Sequence, residues 1–261
     1  GMPWWERSLR KWWQNRAIAN ERRIVQKCRG AVITVSEEVR QSVLERYDVH
    51  PHDVIAAPNG VDHERFHPGL KDQHRKRIRD ELGIEEEQFL VLFMGGLWRE
   101  KGLDRLLGAM DIIRDPDIHL TVVGSGDPES VAEFMPNGYE KNIHFTGHQP
   151  PEGYFGAADA FVLASRVEGL PLVMVEAAAS GLPVIVTPVG GASALVEEDV
   201  SGYIVDGDSA QIAHHIRHLA DNQQKAREMG QEAHERSLQF TWDRQAQIVQ
   251  KVFERTVDQA Q

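Results

Sequence analysis

The sequence contains a single cysteine, Cys28, which excludes an intrachain disulfide framework and suits a reducing compartment. No apolar run approaches the roughly 18 residues of a membrane span, and no secretory signal is visible, so a cytoplasmic location is expected. Tandem repeats and low-complexity tracts are also missing. Positive charge is scarce: the formal net charge is −11, with residues 1–30 at +6 (eight Lys/Arg against Glu6 and Glu21) and the remainder at −17. That balance excludes nucleic acid as a partner of the main body. What remains, 41% hydrophobic and 26% charged residues, is an ordinary globular composition.

Residues 3–29 read as a long amphipathic helix, with Trp5, Leu9, Trp12 and Trp13 near one stripe and Arg and Lys between them. Ala31–Ser36 (AVITVS) reads as a strand, with Ser36 capping the helix that follows. Val54–Asp62 is a second strand ending in the turn signal Asn59-Gly60. A polar linker helix occupies 63–88. From Phe89 to 240, strand-like runs at Phe89–Gly95, Ile118–Gly124, Asn142–Gly147, Ala160–Ser165, Leu182–Thr187 and Gly202–Val205 alternate with helices or short turns. This is the rhythm of an α/β fold with a doubly wound, Rossmann-like parallel sheet. Residues 241–261 form a C-terminal helix capped by Thr241.

In such a sheet, ligands bind beyond the carboxyl ends of the strands. The loops there carry the informative residues. Glu168 and Glu176 flank a helix start in VEGLPLVMVEAAAS, one carboxylate before the helix and one inside it. Gly169 lets backbone approach a ligand, and the following helix N-terminus suits a phosphate. Gly95–Gly102 (GGLWREKG) adds Arg99 and Lys101 before another helix, a charge pattern suited to a diphosphate leaving group or, more blandly, to a solvated turn. Gly124–Glu129 (GSGDPE) resembles part of a dinucleotide fingerprint, a weak signal by itself.

Taken in order, PNGVD, the Lys-Gly of GGLWREKG, VVGSGDPE, IHFTG, AADAFVLAS, EGLPLVMVEAAASGLPVIVT and Gly190–Gly191 resemble the C-terminal half of retaining GT-B glycosyltransferases, the group 1 or family 4 type, over roughly residues 30–258. The resemblance implies a UDP- or GDP-sugar donor with no further cofactor and no metal, and a saccharide or lipid-linked acceptor. It implies that Glu168 meets donor-sugar hydroxyls and that Lys101 binds phosphate. Amides around Gly169, Leu170 and Leu172 would face the diphosphate. Glu176 would bind ribose hydroxyls, and Gly147 and His148 would lie beside the base, with Gly95, Gly96 and Gly124 lining the donor site. Residues 1–62 would then be an arm and remnant of a first domain, the rest of which, with its acceptor site, is missing. The chain alone is expected to bind donor without efficient transfer.

Two departures from the family pattern stand out. Gly96 occupies the usual arginine position, which leaves Arg99 as a candidate substitute, and Ser193-Ala194 replaces the usual Pro-Glu. Other readings stay open beside this one: a nucleotide-sugar epimerase-like enzyme, or a noncatalytic nucleotide-binding module. Asp115-Pro116-Asp117 matches a metal-binding D-x-D pattern but precedes a strand, at the wrong end of the sheet. Asp206 and Asp208 read as a turn and cap, and His214, His215 and His218 as a solvated helix face. The Trp-rich basic arm, residues 4–29, either packs its aromatic face against protein or lies on the inner face of an anionic membrane.

Overall fold

The computed structural model describes the backbone of residues 4–27 and 31–258, and side chains from residue 16 onward. Helix α1 (Trp4–Lys27) leads into a small unit of strand β1 (Val32–Thr34), helix α2 (Glu37–Arg46) and strand β2 (Val54–Ala56). β1 and β2 form their own two-stranded parallel sheet. The predicted cap is present, with Ser36 Oγ accepting from the Val39 amide at 3.2 Å. β2 is shorter than the run read from sequence: the Ala57 amide still donates to Thr34 O at 2.8 Å, and Pro58 has no amide with which to continue the ladder. The expected Trp5, Leu9, Trp12 and Trp13 stripe lies outside the described side chains. Among the described residues of α1, 16–27, none is buried, and Ile18 and Ile24 are exposed.

After α3 (Leu70–Leu82), every strand expected from the sequence is found: β3 (Phe89–Met94), β4 (Ile118–Val123), β5 (Ile143–Gly147), β6 (Ala160–Leu163), β7 (Val184–Val186) and β8 (Gly202–Ile204). They form one parallel sheet in the order β5-β4-β3-β6-β7-β8. All residues of β3, β4, β6 and β7 are buried, as a sheet covered on both faces requires. The intervening helices are α4 (Leu103–Ile113), α5 (Pro151–Ala157), α6 (Leu172–Ala179) and the single turn α7 (Ala192–Leu195). The chain ends with α8 (Ser209–Asp221), α9 (Gln223–Ser237) and α10 (Trp242–Asp258). Right-handed crossovers put α4 on one face, where it packs against α8, and α5 and α6 on the other, with α3 and α9. Between β4 and β5 the chain uses short 3-10 turns in place of an α-helix. Thr241 caps α10, its Oγ1 accepting from the Arg244 amide at 3.1 Å.

The amino end of the sheet is closed by buried charge. Arg79 of α3, 1% exposed, donates to the carbonyls of Ala157 at 3.1 Å and Glu85 at 2.6 Å and to Asp159 at 3.2 Å. Asp159 in turn accepts from the Leu90 amide at 2.8 Å and pairs with Arg75 at 2.9 Å. These contacts tie α3 to β3 and to the start of β6. Since breaking one partner of such a buried pair costs roughly 3–5 kcal/mol, this end of the sheet is rigid. The chain must reverse its course through the sheet between β3 and β6, and in open sheets of this kind ligands bind beyond the carboxyl ends of the strands at that point.

Two histidines on neighbouring strands make the stability pH-dependent. His119 Nδ1 and His144 Nε2 lie 3.1 Å apart, and Asn142 Nδ2 approaches His119 Nε2 at 3.5 Å. Burial, with His144 and Arg79 adding to it, pushes His119 down to about 4, and burial also lowers His144. Both rings are therefore held neutral in the fold and take up protons more readily when unfolded. Their contribution is complete above about pH 6.5 and is lost as pH falls towards about 4. Denaturant titrations should show His119→Gln removing roughly 2–3 kcal/mol of the stability difference between pH 7 and pH 4. An unchanged pH profile would contradict the assignment.

Candidate functional site

Three neighbouring strands end in glycine at the carboxyl edge. Gly95, Gly124 and Gly147 follow or close β3, β4 and β5 with φ of 143°, 124° and 69°. The Gly95 amide donates to Val123 O at 2.9 Å, and the Gly124 amide to Gly147 O at 2.7 Å. A side chain on Gly124 would collide with the Gly95 carbonyl, and one on Gly95 would meet the Lys101 stem. The result is a shelf of glycine backbone, crossed at Gly95 by the Lys101 stem and open at Gly147. Gly96 continues the turn, and Leu97 beyond it takes a left-handed φ of 48° while 71% exposed, a costly conformation for a branched residue. Beneath the loop, buried Trp98 packs on Phe145 with ring centroids 5.2 Å apart. His148 lies exposed next to Gly147.

Across the switch point, the loops after β3 and β6 are stitched together. Gly102 sits so close to the Ala164 carbonyl that a side chain there would collide with it. Arg105 Nη1 donates to Ala164 O at 3.0 Å, and the Arg166 amide donates to Glu100 O at 3.0 Å. Arg166 also clasps Asp104 through both nitrogens, at 3.1 and 2.6 Å. Between these braces, Lys101 Nζ meets Glu168 Oε1 at 2.7 Å, with the two side chains 23% and 21% exposed. Ser165 Oγ donates to the same carboxylate oxygen at 3.2 Å. Residues 67 positions apart thus form one ion pair across the switch point.

Gly169 and buried Leu170 lead to α6, which starts at half-exposed Leu172 with Pro171 at its N-cap position and no side chain capping it. The first amides of the helix are therefore available to an anion. One turn further in, Glu176 is half-buried and makes no side-chain hydrogen bond among the described residues. Burial raises its carboxyl above the usual range; Arg65 opposes this and Glu152 adds to it. Arg65 and Glu152 form an ion pair beside it. A carboxylate held this way lacks donors, and ligand hydroxyls could supply them.

Arg99 is not part of this constellation. Its guanidinium turns to Glu133, 3.7 Å away, and lies over the Phe134 ring, so the structure does not place it where it would replace the arginine missing at Gly96. Asp115, Asp117, Asp208 and His215 are engaged elsewhere. Asp115 and Asp117 form a turn before β4, with the Asp117 amide on Asp115 Oδ1 at 2.9 Å. Asp208 caps α8 and His215 stacks on Tyr203. Two residues had no flag in the sequence: Asp104, whose partner lies 62 positions away, and Glu38 of α2, which reaches the loop after β7.

Comparison with known proteins gives this geometry a context. The family model described as "Glycosyl transferases group 1" matches residues 74–236, and that of "Glycosyltransferase Family 4" matches residues 2–65. Among curated relatives, D-inositol 3-phosphate glycosyltransferases of Corynebacterium aurimucosum and Corynebacterium glutamicum are 31% and 34% identical over 89% and 79% of this chain. The alignments span 58% and 53% of those relatives, so the chain corresponds to little more than half their length. Among solved structures, Anabaena HepE in complex with UDP and glucose superposes with a TM-score of 0.79 at 22% identity, over 92% of this chain and 66% of that one. Sucrose-phosphate synthase of Thermosynechococcus elongatus gives 0.77 at 26% identity, over 94% and 62%. The sheet order and a family match over residues 74–236 agree: the chain belongs to the group 1 glycosyl transferases.

Proposed function

We propose that this chain grips a nucleotide-diphospho-sugar, with UDP or GDP as the nucleotide, and forms the donor half of a retaining sugar transfer to a saccharide or lipid-linked acceptor. The observation that carries this reading is the Lys101–Glu168 pair, 2.7 Å apart, beside the uncapped start of α6 at the switch point. As the bond between sugar and diphosphate breaks, negative charge grows on the leaving phosphate. Lys101 and the first amides of α6 offer fixed positive charge for it, so this reading calls on neither metal nor cofactor. Glu168 accepts from a sugar hydroxyl, and Glu176 accepts from the ribose hydroxyls. The glycine shelf leaves room for the nucleoside, with backbone near His148 beside the base. Relatives named for D-inositol 3-phosphate make a phosphorylated polyol one acceptor worth assaying.

The acceptor side would come from a first domain. A two-stranded sheet is too small to be stable by itself, and β1 presents Ile33 40% exposed, which supports further strands completing it. The donor half alone should therefore bind without efficient transfer. Peripheral membrane contact through residues 4–29 belongs to the same reading. No helix among the described residues is long and apolar enough to cross a membrane, yet the described half of α1 carries Arg22, Arg23 and Lys27 with exposed Ile18 and Ile24. Pelleting with anionic liposomes should fall when residues 1–30 are removed; equal pelleting would end the membrane reading.

Calorimetry with UDP, GDP and NAD tests the nucleotide assignment. One of the two nucleoside diphosphates should bind and NAD should not; binding of NAD alone would overturn it. Glu176→Ala should weaken the diphosphate by about 1–3 kcal/mol and Lys101→Ala by a similar amount through its charge-assisted contacts. Glu168→Gln should leave that affinity equal or tighter, because it frees Lys101 from its present partner. Weaker diphosphate binding by Glu168→Gln would contradict the assignment of Glu168 to the sugar.

A further inference from the structure

The loop after β7 comes close to Glu168 from behind. The Gly190 amide donates to the Glu168 carbonyl at 3.2 Å. A side chain on Gly190 would collide with the Gly169 carbonyl and the Ser36 hydroxyl, and one on Gly191 with Leu170. The two glycines therefore serve as a spacer of fixed thickness between the Glu168–Leu170 backbone and whatever lies beyond. What lies beyond is the start of α2. Glu38 accepts from the Gly191 amide at 2.9 Å with one carboxylate oxygen and from Ser193 Oγ at 2.6 Å with the other. Ser193 stands where the family pattern has another residue, and here it supplies the second half of a two-point hold.

α2 is itself anchored. Arg40 Nε donates to Val54 O of β2 at 2.7 Å, Ser36 is 2% exposed, and Thr34 Oγ1 donates to Ser36 O at 3.1 Å. α2 thus joins two anchors: Arg40 ties it to β2, and Glu38 on the same helix holds Gly191, whose neighbour Gly190 bonds to the backbone of Glu168. Glu38 stays ionised there: burial pushes its carboxyl up, but the bonds from Ser193 and the Gly191 amide outweigh it, and the group lies below the usual carboxylate range. The other charged groups of α2 lie elsewhere, Glu37 pairing with Arg40.

We infer that Glu38 is a positioning residue for the donor sugar, holding the Gly190–Gly191 loop against the Glu168 backbone so that the Glu168 carboxylate meets the sugar. This rests on the assignment of Glu168 to the sugar made above. It also gives the β1–α2–β2 unit a direct part in donor binding, by setting the height of one carboxylate. Glu38 itself bonds to Gly191 and Ser193 and to none of Lys101, α6 or Glu176, the groups that carry most of the nucleoside and diphosphate contacts in this reading. The consequence is selective: loss of Glu38 should cost the sugar's share of the affinity and spare the nucleotide's.

The experiment measures affinity of the full chain for UDP and UDP-glucose, and in parallel for GDP and GDP-mannose, in Glu38→Ala, Glu38→Gln and Ser193→Ala. For the pair that binds, the affinity gained from the sugar should drop roughly tenfold in Glu38→Ala while the diphosphate affinity stays within about twofold. Glu38→Gln, whose amide can still accept from Gly191 and donate to Ser193, should restore most of the gain, and Ser193→Ala should fall between. Unchanged sugar gain in Glu38→Ala overturns the inference, and so does equal loss of diphosphate and sugar-nucleotide binding, the mark of a merely structural role. Should Glu38→Ala fail to fold, Ser193→Ala decides by the same two readings. Lys101→Ala is the separate control: undiminished diphosphate binding there would sink the donor-site reading itself.

Discussion

Everything functional in this chain hangs on the place where the sheet reverses between β3 and β6. The Lys101–Glu168 pair closes that gap at 2.7 Å. Both side chains remain about a fifth exposed, and a partly solvated pair is worth only about 1 kcal/mol or less. It therefore contributes little to holding the loops together. That work falls to the Asp104–Arg166 clasp and the close approach of Gly102 to Ala164. The pair is cheap to open, and opening it frees one cation and one carboxylate, the two groups a sugar diphosphate would engage.

The two ends of the sheet divide the labour. At the amino end, Arg75, Arg79 and Asp159 are buried, mutually paired and bonded to backbone carbonyls, and the neutral His119–His144 pair lies within the β4–β5 ladder. At the carboxyl end, beside glycines at positive φ, an uncapped helix start and a carboxylate with no hydrogen-bond partner among the described residues leave polar groups open. Rigidity at one end and unmet hydrogen-bonding capacity at the other make the carboxyl edge the end where the proposed ligand would find groups to spare.

Much of this was legible in the sequence, for physical reasons that differ by element. The strands showed because buried parallel strands must be continuously apolar, as FLVLFM and AFVL are. The caps at Ser36 and Thr241 showed because hydroxyls at helix starts have a local role. Glu168, Lys101 and Glu176 were singled out through ordered motifs, and the structure brings the first two into contact. Arg99 was less legible: an arginine on a loop reaches in many directions, and here the Phe134 ring and Glu133 draw it away. Glu38 was invisible because its partners, Gly191 and Ser193, lie more than 150 positions away, and nothing local in SEEVRQ distinguishes a glutamate that reaches another loop from a solvated first-turn carboxylate.

The central claim is that a nucleotide sugar binds at the carboxyl edge, across the switch point. Backbone amide NMR during titration with UDP or GDP tests this most directly. The account predicts the largest shifts at Gly95, Gly124, Gly147, Gly169 and Leu170, with the Asp115–Asp117 turn at the opposite end unmoved. Shifts concentrated at that turn and around Asp159, with the glycine shelf silent, would contradict it.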